Sequence, residues 1–280
     1  MSTLKKQIES LVSNPPSEKP TGFDSLFGEF LAALESGEIR SAEKTEKGWV
    51  ANGWVKQGIL LGFRYGKNVK QTENNDILEF FDKDTYPIQK INGRENNIRI
   101  VPGGSSVRRG AFVGKNVTMM PPMYINTGAY VDDGSMIDSH ALVGSCAQVG
   151  KNVHLSAAAQ LGGVLEPIGA TPVVVEDNCM IGGNTGIYEG TQVGEGAVIG
   201  AGVVLTRSVP VFDLVNEKVY RGSKDTPLKI PSKAVVIPGS RMIENNAFAE
   251  QHKLAISTPV IIKYRDDNTD EATALESLLR

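Results

Sequence analysis

Residues 137–155, IDSHALVGSCAQVGKNVHL, carry an aliphatic side chain at every sixth position, namely Ile137, Val143, Val149 and Leu155. A small or medium side chain follows each of them four residues later. This period of six matches neither the 3.6-residue repeat of a helix nor the two-residue alternation of a single strand. The pattern therefore indicates a chain that turns every six residues.

The same register runs through the middle of the chain with one interruption. Its aliphatic positions are Val101, Val107, Val113, Met119, Ile125, Val131, Ile137, Val143, Val149, Leu155, Leu161, Val175, Ile181, Ile187, Val193, Ile199 and Leu205. The fourteen-position step from Leu161 to Val175 equals one repeat plus an insertion of eight residues. Because the segment between them carries Pro and Gly, we expect a loop at about residues 162–173 that projects from the repeats.

A coil with three short strands per turn satisfies this period. The aliphatic residue of each repeat would point inward, and Gly, Asn or Asp would relieve the backbone at each corner. Successive turns would then share hydrogen bonds at the spacing of about 4.8 Å between neighbouring strands. The sequence thus predicts a mainly β protein built as a parallel β-helix of hexapeptide repeats.

The flanking segments lack this period. Residues 1–98 are expected to form a mostly helical domain, since LKKQIESLV and FDSLFGEFLAALESG show helical spacing on either side of NPPSEKP. Residues 99–210 would form the coil. Residues 211–280 would close it with a strand at AVVIPGS and end in a helix over TDEATALESLLR, capped by Thr269 or Asp270.

The composition argues against nucleic-acid and membrane partners. A net charge of −3 provides no basic field for a polynucleotide, and no stretch approaches the roughly 20 apolar residues of a membrane span. The N-terminal MSTLKKQIES has no apolar segment behind its lysines, which argues against a secretory signal. Two cysteines, Cys146 and Cys179, fit buried side chains in a reducing compartment, so we expect a cytoplasmic protein.

Three segments are more specific than the six-residue period: AEKTEKGWVANGWVKQGILLGFR, VGSCAQVGKNVHLS, and GGVLEP followed by VVVEDNCMIGGNTGIYEG. With them the chain resembles the tetrahydrodipicolinate N-succinyltransferases, a family of hexapeptide-repeat acyltransferases in lysine and diaminopimelate biosynthesis. The resemblance implies a left-handed coil and a homotrimer with active sites between subunits. It also implies transfer of the succinyl group of succinyl-CoA to the amine of ring-opened tetrahydrodipicolinate, with no permanently bound cofactor and no metal.

The resemblance assigns the catalytic acids to Asp138 and Glu189, which would also contact the substrate. Attack on a thioester needs a neutral amine, so a base must accept a proton while donors stabilise the carbonyl oxygen. The register places the two acids on different faces of one chain, about two turns or roughly 11 Å apart along the axis. A threefold assembly would bring them together across an interface. We prefer Glu189 beside the amine and Asp138 as the group that orients or deprotonates it; exchanged roles and an acyl anhydride on Glu189 stay open.

Further positions match the family's binding residues. Arg99 would bind a substrate carboxylate, since a guanidinium offers paired donors, and Ser139 would add a hydrogen bond. The expected contacts to CoA are Gly163, Gly200, Ala201, Thr206 and Lys233. For each of these glycines, a coil corner is the favoured explanation.

Several alternatives remain at this stage. Zinc carbonic anhydrases with such coils need three histidines, whereas only His140 and His154 lie in the repeats and His252 lies in the tail. His140 stands in IDSHA where the family commonly has VDTWA, and it is an alternative base. Acetyl-CoA is an alternative donor, a non-enzymatic scaffold is a more distant hypothesis, and the corner acids could serve only to satisfy turn amides.

Overall fold

Three parallel sheets form the centre of the molecule, and the chain visits them in rotation. The computed structural model describes residues 3–71 and 79–266. The first face contains β6 (Ser106–Val107), β9 (Tyr124–Ile125), β12 (Leu142–Val143), β15 (Gln160–Leu161), β18 (Gly186–Ile187) and β21 (Val204–Leu205). The second contains β7 (Phe112–Val113), β10 (Tyr130–Val131), β13 (Gln148–Val149), β16 (Val174–Val175), β19 (Gln192–Val193) and β24 (Lys229–Ile230). The third begins with β5 (Arg99–Ile100), β8 (Thr118–Met119), β11 (Met136–Ile137), β14 (His154–Leu155), β17 (Met180–Ile181), β20 (Val198–Ile199) and β25 (Ala234–Met242).

The interior of this three-sided coil follows the predicted period. Ile137 pairs with Leu155 one full turn later, and the second residue of each short strand points inward. From Val107 to Leu205, every predicted aliphatic position has at most 7% of its surface exposed. Burial of each such side chain contributes about 1.5–3 kcal/mol, so the stacked aliphatic rows are the main source of the coil's stability.

The first turn departs from the predicted register by one residue. β5 places Ile100, not Val101, opposite Met119, so the inward position predicted for Val101 is wrong. The following corner contains Gly103 and Gly104 at φ values of 143° and 87°. Two glycines in left-handed conformations let this corner hold one residue more than the others.

Two insertions leave the coil between the first and second faces. Gln148 on β13 pairs with Val174 on β16, the next strand of the same face, although the first insertion lies between them. The predicted insertion of eight residues is therefore confirmed. We call residues 162–173 the arm. A second insertion, residues 206–228, separates β21 from β24 and contains β22 (Val211–Asp213) and β23 (Lys218–Tyr220).

Parallel pairing continues past residue 210, where the sequence interpretation ended the coil. β24 and β25 each add one strand to their faces. β25, which includes the predicted strand AVVIPGS, then pairs antiparallel with β26 (Ala255–Tyr264), and the short α4 (Ala247–Gln251) connects them. The helix predicted near the C-terminus lies outside the described residues.

The N-terminal segment covers the second face. It contains α1 (Thr3–Ser13), α2 (Phe23–Glu35), the hairpin of β1 (Ala42–Thr45) and β2 (Gly48–Ala51), α3 (Gly53–Tyr65), and the hairpin of β3 (Asn68–Lys70) and β4 (Phe81–Lys83). The two helices predicted on either side of NPPSEKP are thus present. Arg40 stacks 3.5 Å from the ring centre of Tyr130 and donates to Oε1 of Gln148, which ties this segment to the coil. Among the described residues, no helix has the length and apolar character needed to cross a bilayer.

Candidate active site

Asp138 lies at the corner between the third and first faces. It directly follows β11 and is partly buried. Its Oδ1 accepts a hydrogen bond from the backbone N–H of Ser139 at 2.7 Å, which fixes the carboxylate against the turn. His140 completes the corner at a φ of 61°, with an exposed side chain. We call this the Asp138 corner.

A histidine one turn away approaches the same carboxylate. His154 on β14 is only 8% exposed, and its Nε2 lies 3.8 Å from Oδ2 of Asp138. The sequence interpretation counted His154 among the coil histidines but did not place it beside Asp138. The sequence contained the information needed to place it there. One turn of the coil advances the chain by 18 residues, and the two residues are 16 positions apart, so they lie near each other on successive turns. The imidazole is therefore a close neighbour of the carboxylate on the third face.

Glu189 lies at the corner between the first and second faces. Its backbone adopts a φ of 53° and its side chain is exposed. Oε2 accepts a hydrogen bond from the backbone N–H of Arg207 at 2.9 Å. β18, which ends just before Glu189, is paired between β15 and β21, the strands from which the two insertions leave. The Glu189 corner is therefore flanked by an insertion on each side.

These insertions enclose a cavity of about 520 Å³ beside Glu189. Its lining comprises Pro167, Gly169, Ala170, Thr171, Glu189, Arg207, Ser223, Lys224, Asp225, Thr226 and Pro227. Arg207 also donates to the backbone carbonyl of Lys224 at 3.3 Å, which holds the second insertion to the corner. Two cationic side chains (Arg207 and Lys224), two carboxylates (Glu189 and Asp225) and several carbonyls make the cavity suitable for a ligand that carries both an amine and an anionic group.

Within one chain the two acids are well separated. Asp138 follows a strand of the third face and Glu189 a strand of the first, two turns further along the coil. The separation calculated from the register is thus confirmed. A substrate that touches both acids must lie between different copies of the chain or reach across the coil.

Comparison with known proteins identifies the family. Residues 3–65 match the model of the tetrahydrodipicolinate N-succinyltransferase N-terminal region, and residues 172–207 match the hexapeptide repeat of succinyl-transferase. A 2,3,4,5-tetrahydropyridine-2,6-dicarboxylate N-succinyltransferase of Pseudoalteromonas translucida is 40% identical over 289 residues, which covers 100% of this chain and 98% of that protein. The chain belongs to this family. The resemblance noted from the three sequence segments is therefore confirmed.

A second relative in sequence agrees with this assignment. A protein of the same name from Bordetella petrii is 38% identical over 281 residues, covering 99% of this chain and 97% of its own. A solved structure from Campylobacter jejuni, described as a 2,3,4,5-tetrahydropyridine-2-carboxylate N-succinyltransferase, aligns with a TM-score of 0.46 at 17% identity. That alignment covers 88% of this chain and 64% of the other.

The remaining family-matched residues lie in four places. Arg99 is exposed on the third face. It lies in the same outward row as Met136, and the two residues are two strands, or about 10 Å, apart. Gly200 and Ala201 lie on the same edge of the coil as Asp138 but three turns further along, whereas Gly163 and Thr206 lie on the edge of Glu189, one turn before and one turn after it. Lys233 lies at the third corner, where it lines a separate cavity with Glu195 and Arg265.

The described residues do not form a cluster of metal ligands. Within residues 3–71 and 79–266, no group of three or more His, Cys, Asp or Glu side chains is arranged to hold a metal ion. His154 lies beside Asp138, and the exposed His140 belongs to the same corner. The three-histidine alternative thus has no supporting cluster in this part of the chain.

Proposed function

We propose that this protein transfers the succinyl group of succinyl-CoA to the amine of ring-opened tetrahydrodipicolinate. The observation that carries the proposal is its identity of 38–40%, over essentially its whole length, with proteins named for this N-succinyl transfer. The products would be CoA and an N-succinylated 2-amino-6-oxopimelate. This reaction belongs to lysine and diaminopimelate biosynthesis, and we place it in the cytoplasm because Cys146 and Cys179 are free, buried thiols.

The active site of this proposal lies between subunits of a homotrimer of left-handed coils. The Asp138 corner of one subunit would face the Glu189 corner of its neighbour, which brings together acids that one chain keeps apart. This arrangement is supported by the different faces on which the acids lie and by the open Asp138 corner. A closed threefold ring repeats the same contact three times and so gives three equivalent sites.

The proposed chemistry is a direct acyl transfer. The substrate nitrogen attacks the thioester carbon, and the carbonyl electron pair moves to oxygen. When the carbonyl re-forms, the C–S bond breaks, and CoA leaves as a thiolate that takes up a proton. We assign Glu189 to the position beside the amine and Asp138 to the role of orienting or deprotonating it.

In this proposal, the contacts to substrate and CoA are also divided between the edge of Asp138 in one subunit and the edge of Glu189 in the next. Arg99, exposed on the outer row of the third face, would pair with a substrate carboxylate, and Ser139 would add a hydrogen bond beside Asp138. CoA would contact Gly200 and Ala201 of one subunit and Gly163 and Thr206 of the next. Lys233 opens onto a separate cavity, so its contact with CoA stays a prediction.

A thiol-release assay with tetrahydrodipicolinate tests the proposal. Succinyl-CoA is expected to give a kcat/KM at least about tenfold above that of acetyl-CoA, since a donor carboxylate can pair with a cation in the site. A clear preference for acetyl-CoA would overturn the donor assignment. Absence of thiol release from both donors would overturn the enzyme assignment and favour the scaffold hypothesis.

A further inference from the structure

A fully buried lysine lies beneath the arm. Lys56 on α3 has 0% of its surface exposed. Its Nζ donates to the backbone carbonyl of Ala170 at 2.5 Å and to that of Pro167 at 3.4 Å. Burial lowers the pKa of Lys56. Placing an ammonium group in such surroundings is costly unless its donors are used, so these two bonds are important to the local structure.

The same two carbonyls shape the arm. The carbonyl of Pro167 also accepts the backbone N–H of Ala170 at 3.0 Å, which closes a turn over Lys56. Ile168 within that turn packs against Gly53, where an added Cβ would come within 3.1 Å of it. The arm is thus attached to α3 by a buried amine and an apolar contact.

From this attachment the arm continues directly to the candidate active site. Pro167, Ala170 and Thr171 all line the cavity of Glu189. The carbonyl of Thr171 lies so close to Gly190 that a Cβ there would be 2.4 Å away. Lys56 therefore bonds to the backbone of two residues, Pro167 and Ala170, that themselves form part of the cavity wall.

We propose that Lys56 is a positioning residue that holds the arm in the shape that closes the Glu189 cavity. Its effect on turnover rests on the proposed function, whereas its hold on the arm does not. Without Lys56, the arm would be correctly placed in only a fraction of molecules. The apparent affinity for substrates would fall by that fraction, while the chemical step in correctly closed molecules would be unchanged.

The experiment compares Lys56→Met with wild type and with Lys47→Met, an exposed lysine in the β1–β2 turn. K56M keeps the length of the side chain but removes its charge and donors. We expect its KM to rise about tenfold for at least one substrate, with kcat within about threefold, because the carbonyl of Ala170 loses the Lys56 donor and that of Pro167 loses one of its two donors. Backbone amides of residues 162–173 should also exchange with solvent faster than in K47M. A KM within twofold of wild type together with unchanged arm exchange would overturn the proposal.

Amide exchange separates this proposal from the proposed function, because it requires no substrate. If wild type releases no thiol, the succinyltransferase assignment fails, and arm exchange in K56M still decides the role of Lys56. If K56M does not fold, the wild-type arm supplies the answer. Arm amides protected to a degree similar to those of α3 support the attachment, and exchange at the rate of an unstructured peptide contradicts it.

Discussion

The two corners that carry the predicted acids are covered in different ways. At the Glu189 corner, both insertions leave the coil, and Cys146 of the same edge packs into the cluster of N-terminal helices. None of the described insertions leaves the coil at the Asp138 corner, where Ser139 is partly exposed and His140 fully so. The first corner is a pocket built within one chain. The second is an open edge suited to contact with another copy.

The corners also differ in the groups around their carboxylates. Glu189 accepts a backbone N–H and shares its cavity with Arg207 and Lys224. Asp138 accepts the N–H of its own turn and lies beside the imidazole of His154. A cavity lined by both cationic and anionic side chains therefore adjoins one acid, and an imidazole lies beside the other. This asymmetry is what two acids with different roles in one reaction require.

The largest expected effect comes from removing either acid. Asp138→Asn and Glu189→Gln keep side-chain size but lose the ability to accept a proton, so each should lower kcat/KM by about 10²–10⁴-fold in the thiol-release assay. Circular dichroism should match wild type, since neither carboxylate supports the core. Retention of more than a tenth of wild-type activity by either variant would remove that acid from the chemistry.

Mixing the same two variants tests whether the site is shared between subunits of the proposed trimer. If each site takes Asp138 from one subunit and Glu189 from the next, every mixed trimer contains one site with both acids. Random co-assembly of equal amounts should then restore about a quarter of wild-type activity, as closed threefold symmetry dictates. Activity that stays at the level of the single variants would place both acids in one chain.

Much of the coil could be predicted from the sequence because its cause is local. An aliphatic side chain at each sixth position must point inward, and this predicted both the strands and the insertion of eight residues. The shift of one residue at Val101 was not predicted, because two consecutive glycines lengthen the corner without changing the hydrophobic pattern nearby. For the second insertion, the sequence showed only that the six-residue period is lost. Its strands were not predicted, because they pair with distant partners such as β26.

The candidate site was less accessible to sequence reasoning. Spacing could place Asp138 and Glu189 on different faces, but the cavity depends on how two insertions fold back, which no period encodes. Likewise, nothing in the helical pattern of α3 distinguishes the buried Lys56 from a surface lysine. His154 was the exception, because counting 18 residues per turn places it near Asp138.

The alkylation rates of the two cysteines measure how well the edges of the coil are covered. Burial raises the pKa of Cys146 to about 11 and that of Cys179 to about 12. Only the thiolate is reactive, so at pH 8 alkylation of the folded protein should be at least about 100-fold slower than in denaturant, where the thiol pKa is about 8.5. Mass spectrometry after iodoacetamide treatment measures both rates. Alkylation of Cys146 at similar rates in both states would show that α3 does not cover its edge.

A matched pair of glycines compares the corners directly. Gly190 at the Glu189 corner and Gly202, on the same edge as Asp138 but three turns further along, have φ values of 75° and 76°, so alanine meets the same backbone strain at each. A Cβ at Gly202 meets nothing within 4 Å, whereas one at Gly190 would lie 2.4 Å from the carbonyl of Thr171. Gly202→Ala should therefore cost about 1–2 kcal/mol of unfolding free energy, and Gly190→Ala about 1–3 kcal/mol more. Urea unfolding measures both, and equal costs would mean that the arm does not press on this corner.

The smallest effect distinguishes two histidines of the Asp138 corner. His154 is nearly buried with Nε2 3.8 Å from Asp138, whereas His140 is exposed. His154→Gln keeps a polar side chain of similar size but removes the imidazole, and kcat should fall about fivefold, equivalent to about 1 kcal/mol. His140→Asn should leave most turnover intact, because an exposed side chain at the corner has no fixed position from which to accept a proton. The reverse order of effects would make His140 the base and reduce Asp138 to a residue that orients it.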